Sequence, residues 1–172
     1  PAPTSAAVMV PPAPGEEKHL ANIRQLTFGG NNAESYFSRD GTKLIFQRQE
    51  VADSGCDQQY LMNIDGSAMT RISNGLGRTT CGFFYAGDDR VLYSSTFQHD
   101  QACPPPLDQS AGYVWPLGHL EIYTSKLDGS DLQQLTNNGA YNAESTVSPD
   151  GTTIIYTSTV DGDIELYTMN VD

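Results

Sequence analysis

Apolar positions along the chain come in short runs separated by Gly, Asn and Asp, and the runs repeat. Gln25-Leu26-Thr27, Arg71-Ile72-Ser73 and Gln134-Leu135-Thr136 each end one run and open a Gly/Asn-rich loop. A short strand and a tight turn follow: Tyr36-Phe37-Ser38-Arg39-Asp40-Gly41 in the first repeat and Thr146-Val147-Ser148-Pro149-Asp150-Gly151 in the third. The middle repeat has Phe83-Phe84-Tyr85-Ala86-Gly87-Asp88, the same length with the turn residues rearranged. An apolar strand comes next, over 43–47, 90–94 and 153–157. A further strand then places Tyr60, Tyr123 and Tyr167 in one column and ends at Asp65-Gly66, Asp128-Gly129 and Asp172. Asp-Gly is a strong hairpin signal, because the turn needs a positive φ that Gly adopts without steric cost.

Leu26 and Ile72 are 46 residues apart, Ile72 and Leu135 are 63, and the surplus of 17 lies between Phe97 and Leu120. Roughly 40–45 residues per unit with four short strands is the period of a propeller blade. A β-sandwich would not repeat in this way. The expected fold is therefore all-β: a β-propeller of four-stranded antiparallel blades, three of them present, over 22–67, 68–130 with a long insertion at 97–120, and 131–172. Residues 1–21 are expected to be a Pro/Ala-rich tether left by a cleaved signal peptide. The Pro1–Pro14 segment holds five prolines.

The motif L-T, Gly/Asn loop, S-x-D-G, apolar strand, Y-x-M-N-x-D-G resembles the repeat of the TolB-like β-propellers, over nearly all of the chain from Arg24 to Asp172. That family includes the periplasmic TolB component of the Tol–Pal system and the propellers fused to prolyl-oligopeptidase-like peptidases. The resemblance implies that the strand before each L-T is the outermost of a blade. Counted so, the chain opens with an outer strand that has no blade of its own; in closed propellers such a strand completes the last blade. Three blades do not close a ring, since propellers have about 4–8. The expectation is a larger ring of six to eight blades, reached by a natural chain continuing past Asp172, or by a second copy or a partner.

Composition narrows the function. Hydrophobic residues are 38% of the chain, and its 16 Gly restore the ordinary apolar share, as in a turn-rich folded protein. The formal charge of −12 excludes nucleic acid, which needs clustered cations. No apolar run approaches the ~18 residues of a membrane span, although the tether leaves lipid anchoring open. Neither a G-x-S-x-G elbow nor a phosphate or dinucleotide loop occurs, so no catalytic residue is expected.

Three cysteines fit an oxidising, extracytoplasmic compartment, periplasmic by the family resemblance, with one disulfide and one thiol left over. Cys56, Cys81 and Cys103 all fall at the same end of the blades. Cys81–Cys103 is the favoured pair, because both belong to the middle blade, although spacing alone does not decide it. The insertion carries Tyr113, Trp115 and His119, and long ordered loops often bind partners. Asn32 and Asn142 open corresponding strands and are further candidate contacts. Glu34 and Glu144 share one place in their repeats, near the expected axis. There they either hold a cation such as Ca²⁺, which takes several oxygen ligands, or accept hydrogen bonds from loop amides, the preferred reading. The leading function is a non-catalytic interaction module that presents loops to a partner protein. The alternatives are the substrate-gating propeller of a larger secreted hydrolase and a Ca²⁺-dependent carbohydrate-binding or lyase propeller.

Overall fold

The structure is a computed structural model that describes residues 7–51, 55–105, 108, 110–113 and 116–172. All regular elements among the described residues are strands. Blade 1 is an antiparallel sheet of β3 (Asn31–Phe37), β4 (Lys43–Gln49), β5 (Gln58–Asn63) and β6 (Thr70–Arg71), in that order. Blade 2 repeats it with β7 (Thr79–Phe84), β8 (Arg90–Ser95), β9 (Glu121–Lys126) and β10 (Gln133–Gln134). Blade 3 has β11 (Asn142–Val147), β12 (Thr153–Ser158) and β13 (Glu165–Asn170). This is the expected propeller order, counted from the innermost strand outward.

One part of the expected tether is structured. β1 (Val8–Met9) pairs with β2 (Arg24–Gln25), and the Val10 amide donates to the Ile23 carbonyl at 2.9 Å. The reason is local: Val8, Met9 and Val10 are apolar and carry free N–H groups, whereas Pro11 and Pro12 beyond them have none to donate.

The blades stack because each sheet is apolar on both faces. Ile45 and Leu61 of blade 1 and Ile72, just after β6, interlock with Phe84, Val91, Tyr93 and Tyr123 of blade 2 in one buried cluster. Leu92 and Tyr85 of blade 2 meet Ile154 of blade 3, flanked by Leu135 and Tyr156. Burying such side chains is worth about 1.5–3 kcal/mol each. The approach is close at Gly82, where a Cβ would lie 2.3 Å from Gln59 Oε1 and 2.8 Å from Ile45 Cδ1. An aromatic pair recurs at the same register in each blade: Phe46 opposite Tyr60, Tyr93 opposite Tyr123, Tyr156 opposite Tyr167, with centroids 6.0, 6.4 and 5.8 Å apart. The tyrosine column seen in the repeats is this ladder of cross-strand pairs.

The S-x-D-G turns are hydrogen-bonded units. Ser38 Oγ donates to Asp40 Oδ1 at 2.7 Å and Ser148 Oγ to Asp150 Oδ1 at 2.6 Å, while each carboxylate also accepts the amide two residues on. In blade 2, Asp88 takes the positive φ that Gly41 holds in blade 1, 55° against 70°. Its carboxylate accepts the Arg39 and Asp40 amides, both at 2.8 Å, so the rearranged turn ties blade 2 to blade 1.

Hydroxyls of Ser38, Ser67, Ser130 and Ser148 hold Asp40, Asp65, Asp128 and Asp150 below the ordinary carboxylate range. A folded pKa below the unfolded one contributes stability above the unfolded value, and this is lost as pH falls through the folded value. Melting temperature is therefore expected to stay level down to about pH 4 and drop below it. The double variant Ser38→Ala/Ser148→Ala should melt lower at neutral pH and lose less on acidification. An unchanged acid slope in that variant would refute the assignment.

Candidate functional site: the insertion end and the axial cavity

Strand direction brings the β4–β5 loop (50–57), the β8–β9 insertion (96–120), the β12–β13 loop (159–164) and the outer-to-inner connections to one end of the blades. The insertion does not fold over its own blade alone. His99 and Asp100 amides donate to the Thr96 carbonyl, and the Gly77 amide donates to the Gln101 carbonyl at 2.8 Å. These bonds carry the chain toward blade 1, where Cys103 is bonded to Cys56, 47 residues earlier, with a Cα separation of 5.4 Å. The favoured Cys81–Cys103 pairing is thus corrected. Cys81 sits inside β7, at a bulge that turns it inward, and is packed with Leu120, Tyr141 and Ala143. It is a buried free thiol, and burial pushes its pKa up to about 12.

The bulges are a shared device. Every innermost strand shifts register at the same place, between Ala33 and Tyr36, Thr80 and Phe83, and Ala143 and Thr146. Glu34, Cys81 and Glu144 occupy these bulges with φ of 48°, 55° and 57°. A bulge re-aims a side chain. All three line one cavity of about 230 Å³ between the innermost strands, together with Tyr36, Gly82, Phe83, Ser145 and Thr146. Tyr36 lies edge-on to Phe83 at 5.5 Å, and burial, then the neighbouring carboxylates of Glu34 and Glu144, raise its pKa. Ser145 Oγ is buried beside the cavity with no hydrogen-bond partner among the described residues. The repeat-related carboxylates expected near the axis therefore share one cavity. Among the described residues no group of three or more His, Cys, Asp and Glu is set to hold a metal.

The other candidate residues divide. Tyr113 is 76% exposed on the insertion, and Trp115 lies outside the described residues. His119 Nδ1 is hydrogen-bonded to the Gly139 carbonyl, and its ring lies 5.0 Å from that of His99. Asn32 is exposed, accepting from Arg48 at 2.6 Å and donating to the Gly29 carbonyl. Asn142 is corrected as a partner contact. Its side chain is wholly buried, donates to the Leu120 carbonyl, Glu121 Oε2 and Asn138 Oδ1, and accepts from Ser158 Oγ, so its polar atoms are used within the fold.

Glu121 was not singled out by the sequence reading. Its carboxylate is fully buried and accepts the Asn138 and Gly139 amides at 3.0 and 2.8 Å and Asn142 Nδ2 at 3.1 Å, with His99 Nε2 at 3.4 Å. It joins the start of the insertion to the loop after β10. The available signal was the repeat column of polar residues Gln58, Glu121 and Glu165, two positions before each tyrosine. Gln58 plays a parallel part in blade 1, donating to the Gly77 carbonyl and accepting from Ser73 Oγ.

Two measurements check this construction. Cys103→Ser should destabilise the protein by about 2–4 kcal/mol in denaturant unfolding, since the bridge closes a long loop, whereas breaking the expected Cys81 pair by Cys81→Ser should leave the bridge intact by mass. Glu121→Gln should cost about 2–3 kcal/mol, because the new amide faces the Asn142 donor. A Glu121→Gln protein as stable as the parent would show that the carboxylate does not hold the loops.

No protein-family model matches the chain. Solved structures do. A TolB of Agrobacterium tumefaciens is 19% identical, with 85% of this chain and 48% of that chain covered and a TM-score of 0.62. TolB from Acinetobacter baumannii is 21% identical, with 87% and 33% covered and a TM-score of 0.61. A prolyl endopeptidase is 18% identical, with 95% and 23% covered and a TM-score of 0.53. The chain spans less than half the length of each. At these identities the likeness is one of fold: the chain is built as a TolB-like β-propeller and spans three of its blades.

Proposed function

We propose that the chain is a non-catalytic, extracytoplasmic interaction module that binds a partner protein through the loops at the insertion end. The observation that carries this reading is where exposed apolar side chains gather. Phe28, Val51, Leu76, Tyr113, Leu117 and Ile164 are all exposed, and all lie in loops at that end. At the opposite end, comparable exposure among the described loop and turn residues is limited to Ile64 and Leu132 in the blade turns and Leu20 in the β1–β2 connection. Apolar side chains rimmed by polar residues are what a protein interface buries. The Cys56–Cys103 bridge and the Glu121 network hold the loops of blades 1 and 2 in place beforehand, which lowers the ordering cost of association. A disulfide also suits an oxidising compartment.

The test is site-specific photo-crosslinking in the extracytoplasmic fraction of the source cells. A photoreactive residue at Tyr113 should yield one discrete adduct, competed by unlabelled protein and lost in Leu117→Asp. The same probe at Leu132 should give none. Equal labelling from both ends, or none from Tyr113, would overturn the proposal.

A further inference from the structure

We propose that His99 and His119 bind a divalent transition-metal ion of the zinc and copper class. The ion would join the two ends of the insertion at its base. The inference stands on blade 2 and its contact with blade 3, in the middle of the chain, and is independent of the partner proposed above. His99 lies four residues after β8 and His119 two residues before β9. The hairpin thus returns the chain to the point it left. The two rings are 5.0 Å apart, centre to centre, with their planes inclined at 32°.

The hydrogen-bond network decides which nitrogen of each ring carries a proton. His99 Nε2 lies 3.4 Å from Glu121 Oε1, an oxygen that already accepts the Asn138 and Gly139 amides at 3.0 and 2.8 Å. A carboxylate bound in this way is ionised and only accepts, so Nε2 of His99 is the protonated nitrogen. His119 Nδ1 faces the Gly139 carbonyl, which also only accepts, so there Nδ1 carries the proton. In the neutral rings the lone pairs fall on His99 Nδ1 and His119 Nε2. Neither atom has a hydrogen-bond partner among the described residues. Histidines bind metals in this arrangement: one nitrogen ligates while the other donates to a carboxylate or a backbone carbonyl, which fixes the tautomer and the ring.

Charge favours a cation at the same place. Glu121 is wholly buried, and its other hydrogen bonds come from neutral groups, the two amides and the Asn142 side chain. No Lys or Arg pairs with it among the described residues, so its charge is balanced only from the imidazole side. Both histidines are exposed, as an entering ion requires. Two nitrogens on one zinc ion, each about 2.0–2.1 Å from it, stand within about 4 Å of one another. Rings 5.0 Å apart meet that limit with their free nitrogens on facing edges. Imidazole suits zinc and copper, whereas calcium and magnesium take oxygen ligands. Water fills the remaining positions, since among the described residues no third His, Cys, Asp or Glu is set to join the pair.

The consequence falls on the loop. Residues 100–118 run between the two ligands, and Tyr113 and Leu117 among them are exposed apolar side chains. An ion that joins His99 to His119 closes this segment at its base and removes part of its freedom.

The test is a zinc chloride titration of tag-free protein, followed in long-range proton–nitrogen NMR spectra of the imidazoles. Before zinc, at about pH 7.5, His99 is expected as the Nε2–H tautomer and His119 as the Nδ1–H tautomer. One equivalent of zinc should shift His99 Nδ1 and His119 Nε2 together and leave His19 unchanged. In calorimetry, His99→Ala and His119→Ala should each weaken zinc binding by roughly tenfold or more, and His19→Ala should not. Calcium chloride should shift neither ring. A doubly protonated His99 at that pH, zinc shifts confined to other residues, or zinc binding that survives both substitutions would each overturn the proposal.

Discussion

Every feature of this protein depends on the stacking of one sheet face on the next. A four-stranded blade with apolar side chains on both faces has no stable existence alone, because either face left in water forfeits the hydrophobic gain that offsets the entropy of ordering its strands. The cluster of Ile45, Leu61 and Ile72 against Val91, Tyr93 and Tyr123 solves this once, and Leu92 against Ile154 solves it again. Each solution sets the angle of the next blade, and so draws the three innermost strands toward one line. The cavity shared by Glu34, Cys81 and Glu144 is a consequence of that geometry.

Polar groups then join what the apolar faces have brought together. At the turn end, the Asp88 carboxylate reaches two amides of the neighbouring blade. At the other end, Glu121 and the Cys56–Cys103 bridge bind loops that are distant in sequence. A buried carboxylate is tolerated only when its lone pairs are filled, and Glu121 meets that condition through backbone amides and Asn142. The loops at the insertion end that expose apolar residues are thereby tied to the blades, while the acidic character of the chain favours its solvation.

The outer strands also link neighbouring blades. β6 and β10 each complete their own blade and, through the residue that follows them, fill the gap before the next. β2 does only the second of these tasks. Its placement follows from the apolar side chain of Leu26, which needs cover whether or not a blade stands behind it.

The sequence by itself determined the blade count, the strand order and the turn chemistry. These follow from local rules: alternation of apolar residues, positive φ at Asp-Gly, and a serine two residues before an aspartate. It also placed Glu34 and Glu144 in one repeat column, and a common column becomes a common radius in a propeller. Tertiary structure alone decided which cysteines pair, that Asn142 is buried, that Glu121 binds the loops, and that Val8–Met9 forms a strand. These turn on which distant segments touch. Cys103 lies in blade 2 by sequence but bonds across to blade 1, because backbone bonds at Gly77 and Thr96 steer the insertion there. No residue of the insertion announces that path; it exists only once the blades are side by side.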